Sequence, residues 1–91
     1  MPSEKLLKTS QTMSLDGVAT LLETLAGRIR EGRVDLSVGT ENVSLDLPAN
    51  VKVDVEVTRE PKRRRGPKLE LEIEIEWREG DTAGPGQLRI G

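Results

Sequence analysis

"KLELEIEIEWRE", residues 68–79, changes character at almost every step. Leu69, Leu71, Ile73, Ile75 and Trp77 fall on one side, and Lys68, Glu70, Glu72, Glu74, Glu76 and Arg78 on the other. Successive side chains of a strand point to opposite faces, so the stretch predicts a strand with one apolar and one charged face. Upstream, "VKVDVEV" (51–57) repeats the pattern with Val51, Val53, Val55 and Val57. "RVDLSV" (33–38) offers Val34, Leu36 and Val38, and "NVSLDL" (42–47) offers Val43, Leu45 and Leu47. Turn chemistry separates the runs: Gly39 to Asn42, then Pro48-Ala49-Asn50, then a loop within "TREPKRRRGPK" (58–68) broken by Pro61, Gly66 and Pro67. Parallel strands need crossovers of about a dozen residues or more, so three short connections predict a four-stranded antiparallel meander.

The period changes ahead of these strands. Leu15, Val18, Ala19, Leu22, Leu25, Ala26 and Ile29 recur at spacings of three and four, and Leu21 widens the face. This predicts an amphipathic helix over about 15–31, with Ser14 as N-cap, Asp16 at the positive end of the dipole, Arg28 and Arg30 in the last turn and Gly32 as the left-handed terminator. Gly17 and Gly27 each cost roughly 1 kcal/mol against Ala inside a helix. For Gly27 a close backbone approach is the expected compensation. The fold class is therefore α+β, one amphipathic helix packed on the meander, with a possible extra N-terminal strand or arm. Residues 1–13 form that arm, with Leu6 or Leu7 turned inward. Residues 14–79 form the domain, and 80–91 a mobile Gly-rich tail in which Leu88 and Ile90 are candidates for a brief edge strand.

One helix covers a stripe about 10 Å wide, whereas four strands at about 4.8 Å each span roughly 15 to 20 Å. Apolar sheet surface is left over. A homodimer, or closure by the N-terminal arm, is the expected remedy.

Composition narrows the chemistry. The chain has 91 residues, 14 basic and 16 acidic side chains and a net charge of −2, with no Cys and no His. Disulfides and thiolate sites are excluded, and the usual general base and metal ligand are missing. The lone aromatic, Trp77, leaves no stacking platform for bases. No signal-like or membrane-length apolar stretch occurs, so a cytoplasmic protein without membrane association is expected. Ser and Thr lack a His or Cys partner, and "GDTAGPG" lacks the strand, helix and Lys of a phosphate loop. The expectation is a non-enzymatic protein without cofactor or resident metal.

Three surfaces remain. Asp54, Glu56, Glu70, Glu72, Glu74 and Glu76 form an acidic face, read first as solvated and otherwise as a docking face for a basic partner or a divalent cation. Pairing Val57 with Leu69 sets Glu56 opposite Glu70, Asp54 opposite Glu72 and Lys52 opposite Glu74, with like charges in two of the three pairs. An open sheet face supplies no cleft for a glycosidase pair of acids. Lys62, Arg63, Arg64, Arg65 and Lys68 put five cations within seven positions, read first as a solvated loop and otherwise as an anion or nucleic-acid contact. The same loop meeting the acidic face of another copy is a further reading. Trp77 continues the apolar series and is expected to close the core at the sheet's end or to anchor an interface.

Two of these segments, "MSLDGVATLLETLAGRIREGRVDL" and "LELEIEIEW", together resemble the small prokaryotic amphi-Trp domain family. In that family a helix starts after a Ser and ends at a Gly, and a last strand of alternating acidic and aliphatic residues finishes in Trp. The resemblance spans roughly Gln11 to Glu79 and is carried by Ser14, Gly32, Pro48 and Trp77 in order. It implies a compact α+β domain and no particular activity. The basic loop and the Gly-rich tail have no place in the family pattern. The leading expectation is an interaction module that self-associates or binds an unidentified protein through its sheet; the alternative is an anion or nucleic-acid accessory protein acting through residues 62–68.

Overall fold

The computed structural model describes residues 3–80. Their element order is α1 (Leu15–Glu31), β1 (Arg33–Val38), β2 (Glu41–Asp46), β3 (Lys52–Glu60) and β4 (Lys68–Glu76). The chain divides into two compact units, Met1–Leu47 and Pro48–Gly91, the first holding α1, β1 and β2 and the second β3 and β4. Residues 3–14 carry no helix or strand; Leu6 is exposed and Leu7 half-buried. The expected tail strand at Leu88 and Ile90 lies outside the described residues.

The helix begins and ends on local chemistry. Ser14 is extended (φ −69°, ψ 162°), and its Oγ accepts a hydrogen bond from the Gly17 N–H at 3.0 Å. That bond satisfies one of the donors a helix leaves unpaired at its start. At the other end Gly32 takes φ 81° and ψ 8°, and its N–H donates to the carbonyls of Arg28 and Ile29. A side chain at this φ is strained, which is why the chain ends its helix on glycine. Gly27 departs from expectation: a Cβ there would meet nothing within 4 Å among the described residues, and none of them makes the close approach that would compensate it.

Strands β1 and β2 form a tight antiparallel hairpin, Val34 opposite Leu45 and Leu36 opposite Val43. Only Gly39 and Thr40 lie between the paired Val38 and Glu41, and Gly39 alone of the two has positive φ (60°). Such two-residue turns match the right-handed twist of the strands they join. Helix α1 contacts β1, and Val34 is 5% exposed beneath it; Leu25, Ile29, Val38, Val43, Leu45 and Leu47 are half-buried.

The four strands do not make the expected meander. They form two separate two-stranded antiparallel sheets, β1-β2 and β3-β4, and no ladder joins β2 to β3. The connection itself starts no new ladder: the Leu47 N–H extends the β1-β2 pairing to the Gly32 carbonyl at 2.8 Å, and the next residue, Pro48, has no N–H to give. The register of β3 on β4 also differs from the sequence reading by two residues: Val57 faces Leu71, Lys52 faces Glu76, Asp54 faces Glu74 and Glu56 faces Glu72. Strand β3 runs on through Glu60, which shortens the loop to 61–67 and moves every pairing along by two. An even slip keeps each side chain on its face, so the apolar and charged sides are as expected.

Two substitutions separate the roles of the helix glycines. Gly27→Ala is expected to raise stability by about 1 kcal/mol, because it adds helix propensity in open space. Gly32→Ala is expected to lower it by at least about 1 kcal/mol, because alanine resists the left-handed cap. Urea unfolding followed by circular dichroism reads both, and a destabilising Gly27→Ala would mean that another surface packs against that side of the helix.

Candidate functional site on the second hairpin

The β3-β4 hairpin has three chemically distinct surfaces, and the alternation creates two of them. On one face Val53 lies opposite Ile75, Val55 opposite Ile73 and Val57 opposite Leu71, with Arg59 opposite Leu69 toward the loop. Val53, Val55, Val57, Leu69, Leu71 and Ile73 are between 55% and 72% exposed. These side chains, expected to line a core, instead form a continuous open apolar face. Only toward its base does exposure fall, at the half-buried Val51, Ile75 and Trp77.

The opposite face carries the acidic residues. Asp54 against Glu74 and Glu56 against Glu72 are like-charged cross-strand pairs, each mildly destabilising. Lys52 offsets the charge at the base, its Nζ 3.3 Å from Glu76 Oε1 and 3.8 Å from Asp54 Oδ2. Asp54, Glu74 and Glu76 bring one carboxylate oxygen each within 4.8 Å of one another, a juxtaposition that only the actual register reveals. Calcium takes about 6 to 8 oxygen ligands, and here three exposed carboxylates already have an ammonium group among them. Glu70 lies opposite Thr58, toward the loop.

The third surface is the loop. Lys62, Arg64, Arg65, Gly66, Pro67 and Lys68 line an open depression of about 520 Å³, and Gly66 turns the chain with φ 74°. Lys62 Nζ lies 2.7 Å from Glu60 Oε1. At the other end of the ribbon Trp77, Asn50, Val51, Lys52, Glu76 and Arg78 line a second open depression of about 680 Å³. Trp77 thus sits half-buried at the mouth of the hairpin, just beyond the end of β4.

A polar network on β1-β2 escaped the sequence reading, because it needs the register of that hairpin. Ser44 Oγ donates to Asp35 Oδ1 at 2.6 Å, and Arg33 Nε donates to the same oxygen at 3.3 Å. The Ser44 hydroxyl holds the Asp35 carboxyl below its ordinary value of 3.8, against the opposing effect of desolvation and with the Arg33 charge adding to the lowering. Paired serines and acids on adjacent exposed strands carry no compositional signal.

These features define a class of protein: a small α+β chain with a capped amphipathic helix and a final hairpin whose last strand runs into a single Trp. A model of the Amphi-Trp domain family matches residues 1–91, and the chain belongs to that family. The match extends beyond the Gln11 to Glu79 span of the sequence resemblance to residues 1–10 and 80–91. Neither a curated protein nor a solved structure matches the chain. Among the described residues no helix is long and apolar enough to cross a membrane.

Two outcomes follow from the charges. Glu72→Gln removes a like-charged pair and is expected to stabilise the protein by about 0.2 to 1 kcal/mol. The gain should shrink with added salt in denaturant titrations, and a loss of stability would mean that Glu72 is held by an attractive partner. For Asp35, the folded carboxyl titrates below the unfolded one, so its contribution is complete above the ordinary value and is lost as pH falls through the lower folded value. Thermal melts of wild type should therefore fall more steeply than those of Asp35→Asn or Ser44→Ala in that acid range, and parallel curves would contradict the Ser44 bond.

Proposed function

We propose that the protein is a small non-enzymatic interaction module that self-associates, the apolar face of β3-β4 stacking on the same face of a second copy. The observation that carries this reading is the exposure of all six central apolar side chains of that face. A lone two-stranded hairpin is marginal in water, and open apolar patches of a few hundred Å² mark interaction sites.

The geometry argues for face-to-face contact. Each strand has nine residues, so the ribbon is about 30 Å long and about 10 Å wide, a footprint of roughly 300 Å² per copy. Stacking two such faces removes about 600 Å² from water, worth roughly 15 kcal/mol at about 25 cal/mol per Å². Association costs about 4 to 15 kcal/mol, and stable interfaces usually bury about 1,200 to 2,000 Å². The expected product is thus a weak, concentration-dependent dimer. Edge pairing is the poorer geometry, because the run of glutamates along β4 makes charged, self-repelling neighbours. Valine and isoleucine on the apolar face suit interdigitation across the roughly 10 Å between stacked sheets.

Sedimentation velocity over a range of concentrations tests the reading. Wild type should move from monomer toward dimer, with the emission of Trp77 shifting to the blue as the hairpin is covered, while Val55→Glu stays monomeric and keeps its helical circular dichroism. Monomer at every concentration, or a Val55→Glu variant that still dimerises, overturns it.

A further inference from the structure

The basic loop has no part in that association, and its placement calls for a ligand of its own. We infer that the tip of the β3-β4 hairpin is a contact site for the phosphate backbone of duplex DNA, with Arg63, Arg64, Arg65 and Lys68 as its cations. Charge is segregated along this hairpin. The stem, β3 and β4, holds Asp54, Glu56, Glu60, Glu70, Glu72, Glu74 and Glu76 against Lys52, Arg59 and Lys68, the last two toward the tip, whereas 61–67 holds four cations and no acid. Among the described residues, Lys62 is the one loop cation with an acidic partner, and Arg63, Arg64, Arg65 and Lys68 make no ion pair. They stand apart from the like-charged pairs that they would relieve, and Arg64, Arg65 and Lys68 converge with Lys62 on one depression.

The chemistry of the tip selects among anions. Three consecutive arginines favour phosphate, which the guanidinium fork binds in bidentate fashion. Residues 61–68 hold no aromatic and no large aliphatic side chain, so single-strand stacking and insertion into a lipid surface both lack the groups they need. A second copy's acidic stripe offers carboxylates about 6.8 Å apart along a strand, and exposed ion pairs contribute only about 0 to 1 kcal/mol each. Duplex DNA presents a charge every 1.7 Å or so of its axis and releases counterions when cations approach. A two-stranded ribbon fits the major groove, about 12 Å wide in B-form DNA. The carboxylates of the stem stop deeper entry, so contact is confined to the tip, to about three phosphates, and without sequence preference.

Fluorescence anisotropy with a labelled 20-base-pair duplex between about 50 and 200 mM salt tests this, in the micromolar range typical of non-specific contacts. Wild-type affinity should fall about 40-fold over that range, as three phosphate contacts require. The triple variant Arg63→Gln, Arg64→Gln, Arg65→Gln should bind at least 10-fold more weakly and lose most of the salt slope, with unchanged circular dichroism. Lys5→Gln, Arg28→Gln, Arg30→Gln removes the same charge elsewhere and should bind as wild type does. No binding at the lowest salt, equal weakening by both variants, or a flat salt dependence overturns the inference. So does a tip variant that changes sedimentation but not DNA affinity, since the tip then serves a second copy. Val55→Glu keeps the tip intact, so loss of dimer and loss of DNA contact are read separately.

Discussion

The two-residue alternation of β3 and β4 is the constraint from which the rest of the hairpin's behaviour follows. Every odd position from Val51 to Val57 and from Leu69 to Trp77 is apolar, so antiparallel pairing in any even register collects them on one face. The same parity gathers the glutamates on the other face, at a cost that Lys52 offsets only at the base. A sequence that tolerates like charges opposite one another to keep its apolar face continuous places the greater weight on that face.

The two units stabilise themselves differently. In the first, α1 lies against β1, Val34 is buried, and both helix ends are closed by their own caps. In the second, β3 and β4 pair along nine residues each, yet most of the apolar side chains that this pairing aligns stay open to water. Backbone pairing alone gives such a ribbon little net stability, since its hydrogen bonds replace bonds to water. Stability of the second unit is therefore tied to whatever covers its apolar face, and the proposed self-association would make association and folding linked quantities.

Much of this architecture was legible because its signals are local. Ser14, Gly32 and the three-and-four spacing between them mark the helix over the range observed, and alternation places each strand. Sheet continuity was not legible. Alternation marks the two faces of a strand, and which edges then pair is a long-range fact that strand patterns do not encode. The β3-β4 register escaped for a related reason: a seven-residue loop does not fix pairing as the two-residue Gly39-Thr40 turn does. The charged surfaces were readable from composition, while the approach of Asp54, Glu74 and Glu76, and the Ser44 bond to Asp35, needed the register first.

The central claim, that one copy's apolar ribbon is covered by another's, is tested most directly by isotope-filtered NMR on a mixture of labelled and unlabelled protein at high concentration. The account predicts intermolecular nuclear Overhauser effects linking the methyl groups of Val53, Val55 and Val57 to those of Leu71 and Ile73 in the other copy. Methyl contacts at these positions that arise only within one molecule would contradict it.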